Sequence, residues 1–161
     1  MGSLKVGDRA PDFELPSQSN EIVRLSDLIG HKNVVLYFYP KDFTMGCTAE
    51  AKAFRESYQI FQDHNTEVIG ISADSVETHQ RFSQRCRLPF HLLSDSSKRV
   101  RELYGANSLL GRGARITYVI DSQGIIRFVF SSLVRPTRHV REALAALTAE
   151  TARQPPQTQT T

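Results

Sequence analysis

The chain has 161 residues, of which 40% are hydrophobic and 23% charged, and its net charge is +3 at pH 7. These values are typical of one ordinary globular domain, and they exclude a disordered chain, a collagen-like repeat and a disulfide-rich scaffold. No apolar run reaches the roughly 18 residues that a membrane helix needs, and the N-terminus lacks the basic-then-apolar layout of a signal peptide. The sequence therefore predicts a soluble, cytoplasmic protein that binds no membrane.

The charge is divided unevenly along the chain. Residues 1–80 carry 7 Lys and Arg against 12 Asp and Glu, whereas residues 81–161 carry 13 against 5. A basic half can bind an anionic partner such as nucleic acid, or it can be a solvated surface. Because the arginines of this half are scattered singly, without interleaved aromatic residues, we favour the solvated surface and expect no nucleic-acid binding.

Hydrophobic patterning predicts strands that alternate with helices over most of the chain. The predicted strands lie at residues 12–15, 22–25, 34–39, 67–73, 90–93, 116–120 and 125–130. The predicted helices begin near residue 44, at residue 74, at residue 97 and near residue 140. The first two strands form an N-terminal β-hairpin around a Pro- and Ser-containing turn, and the last two form a second hairpin around a glycine turn.

Two of the helices carry sequence signals of their own. Along the first, the apolar residues recur at steps of four and three, which places them on one face: Cys47, Ala51, Phe54, Tyr58 and Phe61. The second begins with Asp74 followed three residues later by Glu77, the pattern of a capping box, and runs to about Arg87.

The order of the elements predicts an α/β domain with a mixed central sheet, parallel first and antiparallel late, flanked by helices. A thioredoxin-like fold is the natural candidate. We predict that this domain covers residues 1–152 and that residues 153–161 form a polar, disordered tail.

The two cysteines are the candidate reactive groups, although buried cysteine is commonly a small packing residue. Cys47 follows a buried strand and a loop that begins with Pro40, and it falls in the first turn of a helix. The unpaired N–H groups and the dipole at a helix N-terminus stabilise a thiolate, which is the form that acts as a nucleophile and that peroxide oxidises. Thr44, three residues earlier, can place a hydroxyl beside the sulfur or a substrate oxygen.

The segment from Tyr39 to Glu50, Tyr-Pro-Lys-Asp-Phe-Thr-Met-Gly-Cys-Thr-Ala-Glu, resembles the peroxiredoxin active-site motif Pro-x-x-x-Thr-x-x-Cys. Its flanking residues are similar to those of the peroxiredoxin Q branch, also called bacterioferritin comigratory proteins. Collinear similarities continue at residues 6–13, 68–74 and 88–95, and Arg115 matches the active-site arginine of that family. The resemblance therefore covers residues 6–121.

This resemblance implies a thiol-dependent peroxidase that reduces hydrogen peroxide and organic hydroperoxides in antioxidant defence, without a metal or other cofactor. Cys47 would be the peroxidatic thiolate that becomes a sulfenic acid, and Thr44 would hydrogen-bond the peroxide. Pro40 would shield the thiolate from water, and Arg115 would stabilise the thiolate and the charge on the leaving oxygen. Thioredoxin or a similar thiol would be the reductant, and the protein would be a monomer or a weak dimer.

The sequence departs from the family pattern in two places. Met45 stands where proline is usual, and Lys52 stands five residues after the active cysteine, where many relatives carry a resolving cysteine. Cys86 lies on the second predicted helix, one turn from the place that other relatives use near Ser83, and it is our candidate resolving cysteine. Because two intact helices would keep Cys47 and Cys86 apart, a disulfide between them requires local unwinding. The alternative is a one-cysteine enzyme resolved by an external thiol.

Two other classes of function compete with the peroxidase. A thioredoxin-like disulfide oxidoreductase is disfavoured because the chain has no Cys-x-x-Cys pair. A nucleic-acid or anionic-partner binding module would use the basic second half of the chain. The five histidines lack metal-ligand spacing with either cysteine, so we assign them to solvent or to structural roles.

Overall fold

A five-stranded mixed sheet forms the centre of the structure, a computed structural model that describes residues 4–106 and 115–153. The strands are β1 Glu14–Pro16, β2 Ile22–Arg24, β3 Asn33–Phe38, β4 Thr66–Ser72, β5 His91–Ser94, β6 Ile116–Ile120 and β7 Ile126–Ser131. The helices are α1 Met45–Asp63, α2 Val76–Cys86, α3 Arg99–Leu103 and α4 Arg138–Arg153, with a single 3-10 turn at Leu25–Asp27.

The strand order in the sheet is β5-β4-β3-β6-β7. Strand β3 pairs in parallel with β4, and β4 with β5, whereas β6 and β7 run antiparallel. Strands β1 and β2 form a separate antiparallel hairpin near the N-terminus. The predicted thioredoxin-like α/β architecture, with a parallel first part, an antiparallel last part and an N-terminal hairpin, is confirmed.

Alternate side chains of β3 enter two different hydrophobic cores. Val35 and Tyr37 pack in a cluster with apolar residues of α1, α2 and α4. Val34 and Leu36 pack on the opposite face, in a cluster with the N-terminal segment and α3. Because both faces of the strand are covered, its sequence is a continuous apolar run rather than an alternating one. The first of these clusters contains both cysteines.

The start of α2 differs from the prediction. The N-cap is Ser75, whose hydroxyl accepts a hydrogen bond from the backbone N–H of Thr78 at 3.1 Å. The predicted capping box of Asp74 and Glu77 is therefore wrong by one residue. The carboxylate of Asp74 instead accepts a hydrogen bond from the hydroxyl of Ser72 at 2.6 Å.

The predicted tail lies almost entirely outside the described residues. Helix α4 continues to Arg153, and residues 154–161 are not described. None of the described helices is long and apolar enough to cross a membrane.

Candidate active site

Cys47 lies in the first turn of α1 and is 1% exposed. The chain leaves β3 at Phe38, turns through a short loop and enters α1 at Thr44, which is the N-cap residue with an extended backbone. This strand–loop–helix path places the sulfur among the unpaired N–H groups at the helix N-terminus, where a thiolate is favoured. The predicted position of Cys47 is confirmed.

Arg115 reaches Cys47 from the start of β6. Its Nη2 donates to the sulfur at 3.4 Å, and its Nε donates to the carbonyl oxygen of Leu133 at 3.1 Å. The Arg115 side chain is 5% exposed, so water screens its charge little. Gly46 leaves room for this approach, because a Cβ atom there would make a tight contact of 3.1 Å with the arginine Nη2. The structure thus brings together two residues that are 68 positions apart in sequence.

Glu50 is the third member of this centre, and the sequence reading missed it. It is fully buried one turn after Cys47, and its Oε1 accepts from Nη1 of Arg115 at 2.6 Å. Burial raises the pKa of Glu50 from 4.5 to about 8, although Arg115 opposes the shift. Burial thus favours the protonated carboxyl, the form that would leave the charge of Arg115 available to the thiolate. The three-residue spacing from Cys47, on the apolar face of the helix, was the signal that could have revealed it.

His139 lies beside Glu50 as a neutral group. Its Nε2 donates to the carbonyl oxygen of Ser132 at 2.8 Å, and its Nδ1 therefore accepts from the hydroxyl of Thr117 at 2.8 Å. Burial lowers the pKa of His139 to about 4, and Arg115 contributes to the shift. Oε2 of Glu50 is 3.8 Å from Nδ1 of His139 and has no hydrogen-bond partner among the described residues. This histidine thus adds no second positive charge to the site.

Thr44 and Pro40 lie on the loop between β3 and α1, and both are exposed. The hydroxyl of Thr44 donates to the carbonyl oxygen of Lys41 at 2.8 Å, which leaves its lone pairs free to accept a hydrogen bond. Arg101, buried in α3, donates to the carbonyl oxygen of Tyr39 at 2.5 Å and so holds the backbone immediately before Pro40. The roles of Thr44 and Pro40 toward a peroxide remain predictions.

A buried polar network holds the same loop to α2. The carboxylate of Asp42 contacts the hydroxyl of Tyr39 at 2.5 Å and Nδ1 of His79 at 2.5 Å. Nε2 of His79 donates to the carbonyl oxygen of Leu93 at 3.0 Å, and the backbone N–H of Asp42 donates to Asp74 at 2.8 Å. These contacts fix the loop against the edge of the sheet. The network also satisfies the polar groups of residues that would otherwise be costly to bury.

The same network contains the candidate metal-ligand group of the described residues. Ligand atoms of Asp42, Asp74 and His79 lie within 4.8 Å of one another. These atoms are already hydrogen-bonded to each other or to neighbouring groups, as Oδ2 of Asp42 is to His79 and Oδ2 of Asp74 is to Ser72. The cluster is therefore explained as a structural hydrogen-bond network.

Cys86 is the last residue of α2 and is 3% exposed. Both cysteines are free thiols, and they belong to the same hydrophobic cluster. The carbonyl oxygen of Cys86 accepts from Nη1 of Arg55 at 2.6 Å. Burial raises the pKa of the Cys86 thiol, and nearby Lys52 and Arg55 partly offset the rise.

Comparison with known proteins identifies the family. Residues 6–129 match the AhpC/TSA family. The chain belongs to the AhpC/TSA family. It is 43% identical over 145 residues to the chloroplastic peroxiredoxin Q of wheat (Triticum aestivum). The matched region covers 89% of this chain and 66% of the wheat protein.

Solved structures agree with this assignment. The crystal structure of peroxidoxin BcpB from Mycobacterium tuberculosis has a TM-score of 0.84 at 38% identity, covering 91% of this chain and 97% of that one. The bacterioferritin comigratory protein of Xanthomonas campestris, whose alkyl peroxide reduction was studied in a trapped intermediate, has a TM-score of 0.77 at 28% identity, covering 86% of this chain and 91% of that one. These relatives indicate a thiol-dependent peroxidase, an oxidoreductase, and they do not favour the disulfide oxidoreductase or nucleic-acid binding alternatives.

Proposed function

We propose that this protein reduces hydrogen peroxide and organic hydroperoxides through Cys47. The observation that carries the proposal is the hydrogen bond from Arg115 to the sulfur of Cys47, made inside a buried site at the N-terminus of α1. The arginine and the helix N–H groups favour the thiolate, and they also face the position where charge develops as the O–O bond breaks.

The first step transfers one oxygen atom. The thiolate of Cys47 attacks the terminal oxygen of the peroxide, an S–O bond forms, and the O–O bond breaks with its electron pair on the departing oxygen. Protonation of that oxygen gives water or an alcohol and leaves a sulfenic acid on Cys47. We assign Arg115 to stabilising the departing oxygen, Thr44 to accepting a hydrogen bond from the peroxide, and Pro40 to limiting the access of water.

Substitution of Cys47 tests this assignment. We expect Cys47→Ser to abolish peroxide consumption, because a serine hydroxyl is not ionised at neutral pH. Peroxide loss is followed after adding one equivalent to the reduced protein, and circular dichroism confirms that the variant is folded. The Cys86→Ser variant, which removes the other thiol, is expected still to consume one equivalent. Consumption by the Cys47→Ser protein at the normal rate would refute the assignment.

Cys86 is our candidate for the resolving cysteine, which would react with the sulfenic acid of Cys47. The sulfenic acid of Cys47 and the thiol of Cys86 would condense to a disulfide and water. Both residues lie in the same hydrophobic cluster. Cys47 lies at the start of α1 and Cys86 at the end of α2, and helix ends unwind at the lowest cost in free energy. Disulfide mapping by mass spectrometry, after one equivalent of peroxide and blocking of free thiols, tests this step. An intramolecular Cys47–Cys86 peptide supports it, and a stable sulfenic acid beside an alkylatable Cys86 identifies a one-cysteine enzyme.

The reductant, the cellular location and the oligomeric state remain predictions. We propose thioredoxin or a similar thiol as the reductant, a cytoplasmic location and a monomer or weak dimer. NADPH consumption in the presence of thioredoxin and thioredoxin reductase tests whether thioredoxin is the reductant. Turnover with a glutaredoxin system and none with thioredoxin would contradict it.

A further inference from the structure

A cavity of about 340 Å³ lies next to Cys86, where α1, α2 and the active-site loop meet. It is lined by Phe43, Thr48, Lys52, Phe82, Arg85 and Cys86. Its size is in the range of small-molecule sites, and its walls combine two aromatic rings with two cationic side chains. The attack of Cys47 on the peroxide does not use this cavity, because Cys47 is not among its lining residues.

The two cations of the cavity lack carboxylate partners. Within the part of the chain that the structure describes, neither Lys52 nor Arg85 forms an ion pair. Both line the same cavity as Cys86. Arg55, the third cation of this region, is instead engaged with the carbonyl oxygen of Cys86 at 2.6 Å and with Glu56 at 2.7 Å. The cavity therefore presents two positive charges to whatever enters it.

We propose that this cavity binds a low-molecular-weight thiol that carries carboxylate groups, with Lys52 and Arg85 pairing with the carboxylates and the sulfur directed at Cys86. The inference rests on the proposed function, in which Cys86 resolves the oxidised Cys47. A thiol fits better than a peroxide, because the lining of the cavity includes Cys86 and does not include Cys47. Phe43, which lines the cavity and is 48% exposed, contacts Phe82 edge-on at 5.1 Å between ring centroids.

The reaction in this cavity is a pair of thiol–disulfide exchanges. Once the helix ends have unwound and the Cys47–Cys86 disulfide has formed, the thiolate of the small thiol attacks the Cys86 sulfur, forms a mixed disulfide with Cys86 and releases Cys47 as a thiolate. A second small thiol then attacks the mixed disulfide, releasing the oxidised small-molecule disulfide and a free Cys86. Attack at Cys86 is favoured because Arg115 and the N-terminus of α1 stabilise Cys47 as the leaving thiolate.

The first test measures binding without chemistry. S-methylglutathione carries two carboxylates but has no free thiol, and it is titrated into the reduced, isotope-labelled protein while amide signals are followed by NMR. We expect shifts at Thr48, Lys52 and Arg85, and weaker binding at high salt. Because an exposed ion pair contributes roughly 0.2–1 kcal/mol, the Lys52→Met/Arg85→Met variant should bind about 2- to 30-fold more weakly. The control variant Lys98→Met/Arg141→Met removes two exposed charges elsewhere and should bind as the unmodified protein does.

The second test compares reductants. The ratio of kcat/KM with glutathione to kcat/KM with dithiothreitol, an uncharged dithiol, is measured for the same proteins. We expect the ratio to fall about 2- to 30-fold in the Lys52→Met/Arg85→Met variant and to be unchanged in the control. An unchanged ratio in the cavity variant, or no binding of S-methylglutathione, would overturn the cavity assignment while Cys47 still consumes peroxide. Absence of Cys47 oxidation by peroxide would instead refute the proposed function itself.

Discussion

Replacement of Glu50 by glutamine tests whether this buried carboxyl is protonated in the folded protein. Glutamine has nearly the shape of a protonated glutamic acid, and its side-chain oxygen can accept the same hydrogen bond from Arg115 that Oε1 accepts at 2.6 Å. It cannot ionise. The substitution therefore keeps the contact and removes only the titration.

The expected magnitude follows from the two protonation equilibria. Burial raises the pKa of Glu50 from 4.5 to about 8, so folding favours the protonated carboxyl. Below pH 4.5 both the folded and unfolded states are protonated, and the group adds no pH dependence. As the pH rises from 4.5 to 8 the unfolded state releases the proton first, and stability falls progressively. The total loss above pH 8 corresponds to about 5 kcal/mol at most, of which about 3 kcal/mol is reached at pH 7.

The assay is urea unfolding of the unmodified and Glu50→Gln proteins at pH values from 5 to 9. We expect the free energy of unfolding to decline with pH in the unmodified protein and to decline much less in the variant. Glu142→Gln serves as the control, since Glu142 is a partly exposed carboxylate paired with Arg138 at 3.2 Å on the surface. The same pH dependence in the unmodified and Glu50→Gln proteins would show that Glu50 is ionised in the fold, and the reasoning would fail.

Two glycine substitutions separate activity from stability. In Gly46→Ala the new Cβ would lie 3.1 Å from Nη2 of Arg115 and would displace the guanidinium from the sulfur of Cys47. We therefore expect peroxide to oxidise Cys47 about tenfold more slowly in stopped-flow kinetics, while the melting temperature does not fall. Helix stability should not fall, because alanine is favoured over glycine in helices by about 1 kcal/mol; unchanged kinetics would contradict this prediction. In Gly70→Ala the new Cβ would lie 2.7 Å from the ring of Tyr37, so we expect urea unfolding to show a loss of about 1–3 kcal/mol, and an unchanged midpoint would count against it.

Local sequence patterns predicted the order of the strands and helices and the place of Cys47 in the first turn of a helix. The continuous apolar run at residues 34–39 and the steps of four and three along α1 each reflect burial of a strand or of one helix face, which short stretches of sequence encode. The start of α2 was misplaced because Asp74 and Ser75 are both good N-caps. Tertiary contacts decided between them, since the carboxylate of Asp74 is held by Ser72 and by the active-site loop.

The electrostatics of the site were decided by the tertiary structure. Glutamate is common on solvated helix faces, and the sequence of α1 shows only that Glu50 shares the face of Cys47, not that it is fully buried against Arg115. Its raised pKa arises from desolvation, which depends on the packing of α4 and β6 around α1 rather than on neighbouring residues in sequence. The cavity beside Cys86 has the same origin: Lys52 and Arg85 lie on different helices and converge only when α1 and α2 pack together. The sequence alone thus specified that Cys47 lies in the first turn of a helix, and the fold specified the charges that surround it.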